Sequence, residues 1–194
     1  MFGKLREQYQ KTIAPIGTVL AKTGISPNTI TILSLLVALC SGYAYLVRNP
    51  AIGGVLIILA GLLDMFDGAI ARATGKESKF GATFDHVIDR YAEFFIVFGI
   101  IAGGYTHWVS GLITIFGMVM ASFVRAKAES VGGLKNCSVG IAERQEKLLL
   151  LIGGSLSVSF FPEVLNYSVI LVGILSHITV VQRLYYTWTQ IGGK

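Results

Sequence analysis

Six apolar stretches, each close to the twenty or so residues that one helical crossing of a bilayer requires, leave this chain few ways to fold. They run over roughly 29–47, 51–73, 81–104, 108–128, 141–161 and 164–187. Only 14% of the 194 residues are charged while 53% are hydrophobic, whereas soluble domains carry about 25% charged residues. A water-soluble helical protein would show more polar surface than this. Short connectors separate the stretches: RNP at 48–50, TGKESKF at 74–80, YTH at 105–107, SVGGLKNCSVG at 130–140 and FPE at 161–163. No internal repeat and no Pro- or Ser-rich linker divides the chain. The expected architecture is therefore all-α and integral to the membrane, with six transmembrane helices in one compact bundle at 25–194. Cys40 and Cys137 lie far apart and make no metal-ligand pattern.

Lys and Arg set the orientation. The N-terminal arm holds Lys4, Arg6, Lys11 and Lys22, and the second connector with its edges holds Arg72, Lys76 and Lys79. Arg125, Lys127, Lys135, Arg144 and Lys147 surround the fourth connector, and Arg183 and Lys194 lie toward the end of the chain. On the opposite side only Arg48 appears. This asymmetry predicts a multi-pass protein of the cell membrane with both termini in the cytoplasm, and nothing in it calls for nucleic acid. Residues 1–24 place Phe2, Leu5, Tyr9, Ile13, Ile16 and Leu20 at helical spacing among basic residues. They read as an interfacial amphipathic helix lying on the bilayer, a unit of its own before the membrane domain. Ser26 suits an N-cap and Pro27 the first helical position, and a helix start of this kind offers free N–H groups to phosphate.

Charges inside apolar stretches are costly and default to function. Asp64, Asp67, Asp85, Asp89 and Glu93 occupy two consecutive stretches. Asp64 and Asp67 are spaced i, i+3, and Asp85 and Asp89 are spaced i, i+4, so each pair shares one helix face. Folding the two stretches into a hairpin about Glu77 brings both pairs to similar depth, at about 1.5 Å of rise per residue. Four converging carboxylates cannot all stay ionised without cations. All-oxygen ligation favours a pair of hard divalent ions, Mg²⁺ or Mn²⁺. Gly61, Gly68, Ala71, Gly75 and Gly81 permit close approach of a helix or a ligand. With Arg72 one turn beyond Gly68, the cavity suits a pyrophosphate. The alternative, buried ion pairs of these acids with Arg72 and Arg90, leaves the matched depths unexplained.

The pattern Asp64-x2-Asp67-Gly68-x2-Ala71-Arg72-x8-Gly81-x3-Asp85-x3-Asp89 resembles, without a departure, the signature of the CDP-alcohol phosphotransferase (CDP-alcohol phosphatidyltransferase) family. The six-stretch layout extends the resemblance over nearly the whole chain. It implies an enzyme, a homodimer with an active site in each protomer, that displaces CMP from a CDP-linked lipid with the hydroxyl of a second alcohol. Position by position, it makes Asp64, Asp67 and Asp85 metal ligands. Asp89 becomes a ligand that also serves as the general base on the acceptor hydroxyl. Asp67, Gly68, Ala71, Arg72 and Gly81 then line the CDP site, together with Asn28 and Thr31 from the helix start at Pro27.

For the acceptor, SFVRAKAE (122–129), IAERQEK (141–147) and VVQRLYY (180–186) lie on the expected cytoplasmic side. Ser122, Arg125 and Glu129 share a helix face, and Arg144 and Arg183 come from neighbouring stretches. Three arginines from three helices suit a phosphate, which guanidinium grips bidentately; the bland alternative is positive-inside flanking and snorkelling to headgroups. The segments resemble those of the inositol-phosphate branch of the family, the phosphatidylinositol- and archaetidylinositol-phosphate synthases. That resemblance implies myo-inositol 1-phosphate as acceptor, with glycerol 3-phosphate as the runner-up. The donor is a CDP-lipid, CDP-diacylglycerol or CDP-archaeol, which share the CDP headgroup. His86 is expected to be a packing residue, His107 beside Trp108 an interface residue, and His177 is assigned no role. Outside the enzymes, a small cation transporter could use the same carboxylates, but transporters show inverted repeats and broken helices, and neither is evident here.

Overall fold

The structure is a computed structural model that describes residues 15–192. Among them every regular element is helical, with no strand. After a helical segment at 15–21 come α1 (Pro27–Leu46), α2 (Pro50–Thr74), α3 (Lys79–Ala102), α4 (Trp108–Ser130), α5 (Arg144–Ser157) and α6 (Val164–Ile191). Four of them, α1, α2, α4 and α6, are long and apolar enough to cross a membrane. Large apolar side chains stand exposed along them, among them Leu36 at 50%, Phe116 at 60% and Val181 at 64%. Apolar exposure of that extent marks a surface built for something other than water. The chain is a multi-pass membrane protein.

The helix boundaries follow local chemistry. At the start of α1, the backbone N–H of Thr29 donates to Ser26 Oγ at 3.2 Å, the cap expected from Ser26-Pro27. The α1 helix ends on Arg48, which adopts the left-handed conformation (φ 61°) while Asn49 N–H reaches back to the Ala44 carbonyl at 2.9 Å. Asn49 then caps α2, accepting from Ile52 N–H at 3.2 Å, with Pro50 in the first helical position. α2 ends at Gly75, whose φ of 64° suits a residue without Cβ. Lys76 N–H donates to Ala71 O at 3.0 Å and Gly75 N–H to Arg72 O at 3.3 Å, closing the helix end. Ser78 caps α3 by accepting from Gly81 N–H at 2.9 Å.

The fifth expected segment departs most from the structure. The 141–161 stretch yields only the 14 residues of α5, about 21 Å at 1.5 Å per residue. Past Ser157 the chain turns, and the N–H groups of Phe160 and Phe161 both donate to the Ser157 carbonyl at 3.0 Å. Pro162 disfavours continued helix at Phe161. The proposed interfacial helix over 1–24 lies outside the described residues up to position 14. At 15–21 the chain is helical, and Gly17 packs so tightly on Ala69 of α2 that an added Cβ would sit 2.8 Å from the Ala69 Cβ. Ile16 and Val19 of the same segment are exposed.

Contacts divide the chain into two compact units. The first comprises the described residues up to Ser41 and Val55–Ile96; the second comprises Gly42–Gly54 and the chain from Val97 onward. Within the second, α6 packs along α4 and α5. Small residues make the α4–α6 approach close. Gly117, Ala121, Gly173 and Ser176 are buried, and Thr114 Oγ1 donates to the Val169 carbonyl at 3.0 Å. In lipid, such packing and interhelical hydrogen bonds replace the hydrophobic effect as the source of association.

The same unit contains the fully buried Tyr45, whose hydroxyl lies 2.6 Å from Ser155 Oγ. Ser155 Oγ itself donates to the Leu151 carbonyl at 2.6 Å, so the Tyr45 hydroxyl is the donor of that pair. Tyr45→Phe is expected to destabilise by about 0.5–1.5 kcal/mol, because the remaining serine keeps its own acceptor. In detergent-solubilised protein that corresponds to a fall in Tm of roughly 2–4 °C per kcal/mol. An unchanged Tm would mean that the bond is replaced.

Candidate active site

The site lies in the first unit, where three helix segments each contribute to one cavity. The i, i+3 spacing on α2 and the position of Asp85 on α3 bring Asp64, Asp67 and Asp85 together. One carboxylate oxygen from each lies within 4.8 Å of the others. Asp67 is buried, and its Oδ2 accepts from Thr31 Oγ1 of α1 at 2.6 Å. Thr31, only 3% exposed, therefore positions a carboxylate of the trio, a role that spacing alone did not suggest for it.

Three carboxylates this close fit a hard divalent ion. An octahedral Mg²⁺ with bonds of about 2.1 Å holds adjacent ligands roughly 3 Å and opposite ligands roughly 4.2 Å apart. The three oxygens, all within 4.8 Å of one another, are near that spacing. Oxygen-only donors exclude the soft-metal alternatives. Asp89 is outside this trio. It is buried, and its Oδ2 lies 3.7 Å from Arg90 Nη2, whose same nitrogen is 3.1 Å from Glu93 Oε1. Like charges repel, so the fourth carboxylate is better placed against a guanidinium than against three acids. Arg90 thus pairs with both Asp89 and Glu93.

Beside the trio is a cavity of about 180 Å³. Asn28 and Thr31 of α1, Asp67, Gly68, Ala71 and Arg72 of α2, and Gly81 of α3, the residues that the resemblance assigns to the CDP donor, all line it. Asp85 lines it too, so the cavity reaches the carboxylates. The walls come close together. A Cβ on Gly81 would lie 3.0 Å from Ser78 Oγ and 3.6 Å from Asn28 Oδ1, and one on Gly68 would lie 3.2 Å from Arg72 Nη1. The first turns of α1 and α3 both border this space, and helix starts present unpaired N–H groups to anions. Sequence reasoning missed Pro27, Lys76, Glu77, Ser78 and Ala82, which also line the cavity. The turn at Gly75 sets the last loop residues at its edge, and a glycine just past the end of the apolar run was the available signal.

The expected acceptor residues belong to the second unit. Arg125, near the end of α4, pairs with Glu129 at 3.1 Å. Arg183 of α6 is 5% exposed, and it donates from Nε to the Val139 carbonyl at 2.8 Å and from Nη1 to the Ala121 carbonyl at 2.6 Å. Spacing had offered Arg183 as a phosphate ligand; in the structure two of its five N–H donors fasten backbone. Arg125, Glu129 and Glu143 are charged groups whose fields reach it. Arg144 opens α5 directly after Glu143 and is half-buried, as is Ser122 on α4. Of the histidines, His86 is exposed rather than packed, which corrects its expected packing role: its position on α3 faces outward. His107 caps α4, its Nδ1 accepting from Val109 N–H at 3.4 Å. His177 Nε2 lies 3.2 Å from the Ile113 carbonyl.

A family model described as CDP-alcohol phosphatidyltransferase matches residues 24–182. The chain belongs to that family. Members similar to it include the archaetidylinositol phosphate synthase of Pyrococcus horikoshii, 38% identical over 185 residues that cover 95% of each chain. The archaetidylinositol phosphate synthase of Methanothermobacter thermautotrophicus is 33% identical, over 98% of this chain and 96% of the relative. Among solved structures, Mycobacterium tuberculosis phosphatidylinositol phosphate synthase with CDP-DAG bound superposes with a TM-score of 0.83 at 28% identity, covering 92% of this chain and 94% of that one. The same enzyme in complex with manganese and citrate gives 0.82, over 91% and 88%. This family member is thus a phospholipid-synthesising transferase with membrane helices and an acidic cluster suited to a metal ion.

Proposed function

We propose that this chain transfers the phosphatidyl or archaetidyl group of a CDP-lipid to a hydroxyl of myo-inositol 1-phosphate, releasing CMP. The observation that carries the reading is the cavity that joins the seven expected donor-site residues to the Asp64–Asp67–Asp85 trio. In it, Asn28, Gly68, Ala71, Arg72 and Gly81 bind and orient the CDP moiety, while the Asp64–Asp67–Asp85 trio beside it, joined by Asp89 of α3, would hold two divalent ions, Mg²⁺ or Mn²⁺. When bound, the ions neutralise the pyrophosphate and the departing CMP. Asp89 takes the proton of the acceptor hydroxyl as its oxygen bonds to the lipid-bearing phosphorus and the bond from that phosphorus to CMP breaks. Ser122, Arg125, Arg144 and Arg183 bind the acceptor's phosphate. The names of the two archaeal relatives favour the inositol acceptor over glycerol 3-phosphate.

The reading keeps six spans, with the 14-residue α5 as a short fifth one, the active site and both termini on the cytoplasmic side, and a homodimer. It also keeps 25–194 as the membrane domain, preceded by the expected interfacial segment 1–24, most of which lies outside the described residues. α3 falls short of a purely apolar span because it carries Asp85, Asp89, Arg90 and Glu93. Its 24 residues are about 36 Å long, enough to cross.

Isotope exchange of labelled CMP into a CDP-lipid separates this enzyme from a cation transporter. Purified protein assayed with CDP-diacylglycerol and CDP-archaeol against inositol 1-phosphate, glycerol 3-phosphate, free inositol and serine then names the acceptor. Replacing Arg125, Arg144 or Arg183 with Ala is expected to raise the acceptor KM about ten- to hundred-fold, the value of a charged hydrogen bond at roughly 1.5–3 kcal/mol, while donor binding is spared. Arg183→Ala also removes two backbone tethers, so its thermal stability is measured alongside. Lys135→Ala, an exposed charge in the connector, should change little. Reaction of free inositol or serine as readily as of the phosphorylated acceptor would return the arginines to membrane flanking.

A further inference from the structure

We infer that Glu129 is a positioning residue for the acceptor phosphate, holding Arg125 and the connector after α4 in one arrangement; this rests on the proposal that Arg125 and Arg183 bind that phosphate. Glu129 Oε1 accepts two hydrogen bonds, from Arg125 Nε at 3.1 Å and from the Cys137 backbone N–H at 2.9 Å. A single oxygen therefore ties the last turns of α4 to the middle of the 131–143 connector. Because the Glu129 bond uses Nε, it orients the planar guanidinium with its two terminal nitrogens at the far edge, the fork that grips an anion bidentately.

The connector is held from α6 as well. Arg183 Nε donates to Val139 O at 2.8 Å, Ile141 N–H donates to Gln182 Oε1 at 2.9 Å, and Thr179 Oγ1 reaches Ala142 O at 3.4 Å. Gly140, at φ +144°, sits so close to α6 that a Cβ there would meet Thr179 Cγ2. Cys137 and Ala142 are buried at 0% and 1% exposure. Ordering a loop costs backbone entropy, and joining two helices does not require it. Here the tethers include the very arginines assigned to the acceptor. Electrostatics gives the second reason. The field of Arg125 reaches Arg183, and two guanidinium groups repel until an anion arrives. The Glu129 carboxylate, bonded to Arg125 and attracting Arg183 at longer range, offsets that repulsion beforehand, so acceptor binding bears less of the cost of assembling them.

The test uses the full chain in a Cys40→Ser background, so that Cys137 is the remaining thiol. Kinetics with CDP-diacylglycerol or CDP-archaeol and inositol 1-phosphate are measured for the background, Glu129→Ala, Glu129→Gln and Arg125→Ala. Maleimide labelling of Cys137 follows the connector. Glu129→Ala is expected to raise the acceptor KM about ten-fold, the loss of one charged hydrogen bond, with kcat and donor KM within about two-fold. Cys137 should label faster. Glu129→Gln keeps an acceptor oxygen for the Cys137 N–H and should restore protection of the thiol and part of the KM. A raised KM in Arg125→Ala with an unchanged KM in Glu129→Ala overturns the role of Glu129 and leaves the acceptor reading standing. Unchanged KM in both overturns the acceptor reading and this inference with it. Equal loss of kcat and donor binding in Glu129→Ala and Glu129→Gln identifies a general structural role and also overturns it.

Discussion

Asp85→Asn protein is expected to fold, to elute and melt like the wild type, and to release CMP at background rate. The carboxylates of Asp64, Asp67 and Asp85 lie within 4.8 Å of one another, so each neutralises part of the charge of an ion bound by the others. Removing one charge from a three-carboxylate site weakens every ligand's hold at once. Metal polarisation at a phosphoryl centre supplies several kcal/mol, and each 1.36 kcal/mol is a factor of ten, which sets the expected loss at about a thousand-fold or more. Asp64→Asn should behave alike. Chelation of the wild type should give the same loss, reversed by Mg²⁺ or Mn²⁺. The Mn²⁺ EPR signal gives an independent readout, since the free-ion spectrum should quench with wild type and persist with either variant. The apo protein should also be the less stable form, because the trio is then left with its mutual repulsion. Full turnover in excess EDTA would sink the metal-centre reading, whatever the variants do.

Which parts of this molecule could be read in advance depended on how local their causes are. The start of α1 at Pro27 and the break at Arg48–Pro50 rest on residues two or three apart, and the chain shows both where spacing put them. The trio was legible for the same reason. An i, i+3 pair shares a helix face whatever else the chain does, and a short connector makes the next helix its neighbour. The shortness of α5 was not legible from hydropathy, since residues 158–161 are as apolar as a helix needs. Turning there is a backbone event, set by the Ser157 carbonyl and Pro162.

Least legible were the side chains whose partners are backbone groups distant in sequence. Arg183 fastens Ala121 and Val139, 62 and 44 residues away, and a pattern scan can mark it only as a cation. Glu129 accepts from the Cys137 N–H, in a stretch whose glycines read only as a loop. Thr31 is intermediate between these cases. The resemblance put it at a phosphate, and the structure adds its hydroxyl bond to Asp67. Buried Arg183 and Thr31 are polar groups with little water to turn to, so they find protein partners, and for all three residues the partner's position in sequence carries no local signal.

Asp89→Asn tests the step that position alone does not assign. Asp89 is buried beside Arg90, outside the trio, so the variant leaves the three converging carboxylates and the cavity residues in place. CDP-lipid binding should persist, measured with labelled CDP-diacylglycerol or CDP-archaeol in nanodiscs. Measured at saturating Mg²⁺ or Mn²⁺, which offsets the loss of one metal ligand, kcat should fall by about 10²–10⁴-fold, the contribution of a positioned general base. The acceptor KM should move far less than in the arginine variants, because Asn is nearly isosteric and the phosphate contacts are untouched. Arg90→Gln separates basicity from placement. It removes the guanidinium that Asp89 and Glu93 share while leaving the carboxylate, and should retain much more activity than Asp89→Asn. Loss of donor binding in Asp89→Asn with an unchanged rate at saturation would assign Asp89 to the donor site and remove it from proton transfer.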